Sequence, residues 1–175
     1  TGADSVTLAN ANITLIATGG ANGAVAVSGT GTASRTVTIS GITGNGTIGM
    51  SVAAGTAGDL AGNTAAAAGP SATFVVDNIT PTVTLSTTAP DPTNAVIPVT
   101  ATFSEAVTGF DENDVVVVNG SVGSVSGTGT TYTFSVTPTL NGAVTIDVAA
   151  GVAQDAAGNG NTAASQLNRT FDSAN

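Results

Sequence analysis

The sequence predicts an all-β chain built from two copies of one unit, and three observations carry that expectation. Ser51-Val-Ala-Ala-Gly-Thr-Ala-Gly-Asp-Leu-Ala-Gly-Asn63 returns as Asp147-Val-Ala-Ala-Gly-Val-Ala-Gln-Asp-Ala-Ala-Gly-Asn159, 96 residues later. Self-similarity over that distance marks a repeated structural unit. The apolar residues, 41% of the chain, are mostly Val, Ala and Ile, with only 3% aromatics. Abundant Gly and Thr suit short strands joined by tight turns and do not suit long helices. Third, apolar and polar residues alternate with period two along one segment after another.

The second copy gives the clearest run of strands. In Thr82-Val-Thr-Leu-Ser86 the inward set is Val83 and Leu85; in the next strand it is Ile97, Val99, Ala101 and Phe103. Pro98 donates no backbone hydrogen bond, so that strand is unpaired at this residue or begins near it. Val115 to Val118 follow, then Tyr132, Phe134 and Val136, then Val144, Ile146 and Val148, with a last strand ending near Phe171. Asn119-Gly120, Gly127-Thr-Gly129 and Asn141-Gly142 supply turns between them. About seven short strands with turns every ten or so residues is the pattern of an immunoglobulin-like sandwich.

The first copy repeats the later strands. Ile13 to Ile16 match the Val115 run, Ser28-Gly-Thr-Gly31 matches Ser126-Gly-Thr-Gly129, and Val37 and Ile39 match Tyr132 and Phe134. Ile48, Met50 and Val52 match Val144, Ile146 and Val148, and Thr73-Phe74 matches Thr170-Phe171. Thr1-Gly2-Ala3-Asp4 aligns with Thr108-Gly109-Phe110-Asp111, an offset of 107 that gives the first copy about ten extra residues before its hairpin. The expected organisation is a partial unit over residues 1–76, lacking its first two strands, and a complete unit over residues 77–175. A sandwich without those strands exposes core and open edges. Either the sequence is a window on a longer protein or another molecule lends the strands.

Charge and composition exclude several functions. Eleven acids face two arginines and no lysine, for a net charge of −9, so binding of nucleic acid or an anionic membrane by charge is excluded. No run approaches the ~18 apolar residues that cross a bilayer. Without cysteine there is no disulfide and no soft-metal site; without lysine there is no Lys–Asn isopeptide bond. With His, Cys and Lys all absent, the usual bases and nucleophiles are missing and catalysis is not expected. The composition reads as extracellular and bacterial, at the cell surface or secreted.

Val75-Val-Asp-Asn-Ile-Thr-Pro-Thr-Val-Thr-Leu85 resembles the Val-Asp-x-x-x-Pro-Thr-Val junction of bacterial Ig-like tandem repeats in large surface adhesins. Phe103-Ser-Glu-Ala-Val-Thr-Gly-Phe110 and the Asp-x-Ala-Gly-Asn loops are similar to the same repeats. The resemblance covers nearly the whole chain and implies an extracellular tandem array, often rigidified by calcium at or near the junctions. Two features depart from it: the truncated first copy, and Asn78-Ile79, where these repeats usually carry Thr or small residues.

Strand parity locates the acids. With seven strands A to G in the second copy, the start of A, the B–C loop and the F–G loop share one pole. They carry Asp77 and Asn78, then Glu105, Asp111, Glu112 and Asp114, then Asp155 and Asn159. Hard oxygens in flexible Gly-rich loops suit Ca²⁺, which takes 6–8 oxygen ligands; Mg²⁺ demands a stricter octahedron, and transition metals want His or Cys. Asp155 and Asp77 lead the candidate ligands, with Glu105 and Asp111 next; Asn159 either coordinates or holds the turn. The first-copy equivalents are Asp4, Asp59 and Asn63, and Asp172 repeats Asp77 for a following domain. The competing reading is pure turn chemistry, since Asp and Asn beside Gly accept backbone N–H bonds in any tight loop. Asp91 and Asp147 are expected to be solvated, and Arg35 and Arg169 to lie on strand surfaces.

Three functions follow: a non-catalytic, calcium-stiffened spacer in a surface protein or adhesin, a filament subunit completed by donated strands, or a Thr-rich face for glycan or ice. The expected partners are neighbouring Ig-like repeats in the same or an adjacent chain, homopolymer included. The five Asn-x-Ser/Thr triplets arise by chance in so Thr-rich a chain, and Tyr132 points inward, leaving no aromatic platform for sugars.

Overall fold

The computed structural model describes residues 2–174, so Thr1, which opens the predicted Thr-Gly-Ala-Asp motif, lies outside it. Among the described residues all regular structure is β-strand except two three-residue 3₁₀ turns, Asn10–Asn12 and Glu112–Asp114. No helix among them is long and apolar enough to cross a membrane. Internal contacts divide the chain into two compact units between Asn78 and Ile79.

In the first unit the strands are β1 (Ser5–Val6), β2 (Ile13–Thr18), β3 (Asn22–Ser28), β4 (Thr36–Thr43), β5 (Gly46–Val52), β6 (Ala57–Gly58) and β7 (Phe74–Val76). The second holds β8 (Val83–Thr87), β9 (Ile97–Val107), β10 (Val115–Val118), β11 (Gly120–Val122), β12 (Ser126–Pro138), β13 (Gly142–Val148) and β14 (Leu167–Phe171).

The second unit is a sandwich of a four-stranded sheet, β11-β12-β9-β8, and a three-stranded sheet, β10-β13-β14, with every pairing antiparallel. Alternation sets the register. Ile97, Val99 and Ala101 stand opposite Val136, Phe134 and Tyr132, and all six are buried. Val144, Ile146 and Val148 of β13 close the same core from the other sheet. Phe103, Phe110 and Tyr132 pack edge to face with centroids 5.4–5.8 Å apart, and the Tyr132 hydroxyl donates to the Val107 carbonyl at 2.8 Å. Pro98 lies opposite Ser135 on β12, whereas the β8 ladder stops at Thr87 opposite Val99, so its missing N–H breaks no pairing there. Asn119, at φ +62, turns the chain from β10 in one sheet to β11 in the other, so Asn119-Gly120 is a sheet-switching corner and not a hairpin. Asn tolerates this left-handed backbone better than other side chains.

The first unit repeats part of this plan. Its sheet β2-β5-β7 corresponds to β10-β13-β14, and its pair β3-β4 to β11-β12; β1 pairs with β6. No strand among the described residues takes the place of β8 or of the first part of β9. The consequence is a small core: Ala21, Ile48 and Val76, with Leu15 and Ile39 partly buried against them.

The two copies align differently from the sequence expectation at the start of the first. Ala9 N–H donates to Asn12 Oδ1 at 2.9 Å, as Asp111 N–H donates to Asp114 Oδ2 at 2.8 Å around the matching 3₁₀ turn. Leu8 and Ala9 therefore stand where Phe110 and Asp111 stand. Ser5 pairs with Gly58 as Thr108 pairs with Gln154, which puts Asp4 at the end of the β9 position. Part of the first copy's extra length lies in the turn between β2 and β3, ahead of the β3–β4 hairpin, and part in that hairpin itself. Turn loops absorb insertions without disturbing the ladders.

Candidate metal centre

One pole of the second unit is assembled by backbone hydrogen bonds between distant segments. Thr82 N–H donates to Ser104 Oγ and Ser104 N–H to the Thr82 carbonyl, each at 2.9 Å, which ties the entry of β8 to β9 beside Glu105. Thr108 and Gln154 exchange bonds of 2.8 and 3.0 Å, joining the end of β9 to the β13–β14 connection. Thr162 N–H reaches the Pro81 carbonyl at 2.8 Å, closing the circle.

Within the β13–β14 connection, Asp155 organises a five-residue loop. Its Oδ1 accepts from Ala157 N–H at 2.8 Å and Asn159 N–H at 2.9 Å, and its Oδ2 accepts from the Asn159 amide at 2.8 Å. Gly158, at φ +90, permits the tight return. The Asn159 amide, followed by the backbone N–H groups of the loop, holds the Asp155 carboxyl below its ordinary range by stabilising the anion. Asp155 is only 7% exposed. The sequence reading missed Asn161, 2% exposed. Its amide donates to the carbonyls of Ala149 and Thr162, and its Oδ1 accepts from Ala153 N–H at 2.8 Å, so it pins both sides of the loop. The signal available was its place in Gly158-Asn-Gly-Asn161, where one Asn would suffice for a turn.

Asp77, Glu105 and Asp155 are brought together: one carboxylate oxygen from each lies within 4.8 Å of the others. Asp77 and Glu105 are half-buried. All three donors are hard carboxylate oxygens. The donor set fits Ca²⁺, which would complete its shell with carbonyls or water. Asp111 and Asp114 are engaged elsewhere. Asp111 Oδ1 caps the 3₁₀ turn by accepting from Asn113 N–H at 2.8 Å, and Asp114 Oδ2 accepts from Asp111 N–H. Glu112 is exposed on that turn.

In the first unit Asp59 and Asn63 reproduce the Asp155 loop: Asp59 Oδ1 accepts from Asn63 N–H at 2.9 Å and Oδ2 from its amide at 2.8 Å. The Asn63 amide is the leading cause of a lowered Asp59 carboxyl. Asp4 Oδ2 accepts from Leu60 N–H at 2.9 Å, so Asp4 reaches this loop from the end of the β9 position, the place of Val107, and not from that of Asp111. Among the described residues no third carboxylate joins Asp4 and Asp59.

Asp91 is exposed, as expected, and Asp147 is half-buried; both also accept hydrogen bonds. Asp91 accepts from Thr170 N–H at 2.8 Å, which with Arg169 nearby lowers its carboxyl, and Asp147 accepts from the Gln166 amide. Asp172 Oδ1 accepts from Ala174 N–H at 3.0 Å. Arg169 lies on β14 and donates to the Ala89 carbonyl; Arg35 precedes β4 and donates to the carbonyls of Val6, Gly31 and Ser34.

Comparison with known proteins adds one match. A family model described as a bacterial Ig-like domain matches residues 77–171, a range that includes all three converging carboxylates. No curated protein and no solved structure matches.

Proposed function

The chain belongs to the bacterial Ig-like domain family, and on that premise we propose that it is a non-catalytic spacer of an extracellular surface protein or adhesin, stiffened by calcium. Domains of this family typically belong to cell-surface proteins and are typically non-catalytic. The observation that carries the calcium reading is the convergence of Asp77, Glu105 and Asp155 within 4.8 Å. Asp77 lies on the segment that leads into β8, Glu105 on β9 and Asp155 in the β13–β14 connection. A cation bound by all three restrains the connecting segment. Without it, the carboxylates repel and the connection loosens.

The test is small-angle scattering and thermal unfolding of the whole chain, in calcium and then with chelator. A calcium-dependent change in maximum dimension and a higher unfolding temperature, both abolished in Glu105→Gln, are expected. No calcium response in either quantity sinks the proposal.

A further inference from the structure

Five Asn-Gly pairs occur in the chain, at Asn22, Asn45, Asn119, Asn141 and Asn159. In such a pair the glycine nitrogen can close a succinimide ring on the asparagine side-chain carbon, and glycine has no Cβ to keep the two apart. Whether they react depends on how the fold holds them. Four pairs are restrained. Gly46, Gly120 and Gly142 pair in register with Val76, Pro138 and Phe171, and Gly160 bridges to Gln154. Their asparagine side chains are engaged as well. Asn45 Oδ1 accepts from Asn78 N–H, Asn119 Oδ1 from Leu140 N–H and Asn141 Oδ1 from Ser173 N–H, while the Asn159 amide donates to Asp155.

Asn22 differs in both respects. It is exposed, and its Oδ1 accepts from Gly23 N–H at 2.8 Å, so the carbon bonded to that oxygen is folded over the glycine nitrogen. The β3–β4 register passes from Asn22 opposite Thr43 to Ala24 opposite Ser40 and steps over Gly23. An irregularity of this kind interrupts the ladder locally. Packing also fixes the glycine: a Cβ there would stand 2.8 Å from Ile39 Cγ2 on β4, closer than side chains tolerate. The residue that best permits ring closure is therefore the one that the hairpin requires.

We infer that Asn22 is a site of self-modification, where the Asn22-Gly23 pair closes to a succinimide and opens to aspartate or isoaspartate. Solvent hydroxide takes the Gly23 N–H proton, and the nitrogen attacks Asn22 Cγ to form the N–Cγ bond. The Cγ–Nδ2 bond breaks, and Nδ2 takes a proton from water and leaves as ammonia. Water then adds to one of the two ring carbonyls. Opening at Cγ restores the backbone and leaves aspartate; opening at the main-chain carbonyl routes the chain through Cγ and leaves isoaspartate. One water enters, one ammonia leaves, and nothing is oxidised or reduced. The chain gains one negative charge beyond its −9, at the start of β3. Holding the reacting atoms side by side is what raises such a rate.

The test is peptide mapping by mass spectrometry of the whole chain after warm incubation in mildly alkaline buffer, with fragmentation that separates aspartate from isoaspartate. The same chain in denaturant is run beside it. In denaturant the five pairs are expected to convert at similar rates, since each presents the same two residues. In the folded chain Asn22 is expected to lead the other four by about tenfold, because they must first break a side-chain bond and leave a ladder or bridge. The early acidic species is expected to disappear in Asn22→Gln, whose longer side chain would have to close a larger ring. Equal conversion of the five pairs in the folded chain, another pair ahead of Asn22, the same lead for Asn22 in denaturant, or an acidic species that persists in Asn22→Gln overturns the inference.

Discussion

Replacing Tyr132 by Phe removes one oxygen atom and tests how the pole of the second unit is held. The hydroxyl is buried and donates to the Val107 carbonyl at 2.8 Å, while the ring stays packed against Phe103 and Phe110. Phe keeps the ring and loses the bond. The net worth of such a bond is about 0.5–1.5 kcal/mol, and stranding a buried acceptor costs about 1–3 kcal/mol. Val107 is 3% exposed, so water is poorly placed to replace the hydroxyl. About 1.5 kcal/mol is therefore expected, roughly a 6–12 °C fall in the unfolding midpoint of a unit this size. Val107 ends β9 two residues after Glu105, so the same change is expected to weaken calcium binding without touching a carboxylate. Calorimetry of Tyr132→Phe against the parent chain measures the first effect, and calcium titration the second. A loss below about 0.3 kcal/mol, within the scatter of ordinary surface substitutions, would refute the assignment of this bond as a structural tie.

Substitutions at two further positions probe the corner and the acid response. Asn119 combines φ +62 with an amide donating to the Leu140 and Ala143 carbonyls and an oxygen accepting from Leu140 N–H. Asn119→Ala is expected to cost about 2–3 kcal/mol in urea unfolding and Asn119→Gly about 1 kcal/mol less, because Gly keeps the backbone freedom but not the bonds; equal losses would contradict a backbone contribution. For Asp91, the Thr170 N–H holds the folded carboxyl below its ordinary value of 3.8. Its contribution is thus fully present above pH 3.8 and lost as pH falls below that through the folded value. The stability gap between the parent and Asp91→Asn should shrink across that acid range, and a gap that widens there reverses the sign of the effect.

Much of the second unit was legible because period-two alternation and burial are the same fact seen twice. Ile97, Val99, Ala101 and Phe103 alternate in sequence, and only one face of a strand meets the core. Parity then brought the entry to β8, the β9–β10 connection and the β13–β14 connection to one pole. Parity cannot say which side chains turn towards one another. Asp111 and Asp114 share that pole, yet a 3₁₀ turn uses both as local caps. The alignment of the first copy failed for a related reason: Thr-Gly-x-Asp is a short match, and the true correspondence is marked only by one side-chain acceptor, Asn12, which takes the Ala9 N–H as Asp114 takes that of Asp111.

The sequence by itself determined an all-β, Ig-like chain without the usual catalytic groups, because alternation, turn residues and composition are local properties. Tertiary structure alone decided that Asp77, Glu105 and Asp155 converge, that Asp4 reaches the Asp59 loop through Leu60 N–H, and that β4 pairs among the described residues with β3. The first two depend on contacts between segments tens of residues apart, and all three are fixed by ladder register and core packing and not by neighbours along the chain.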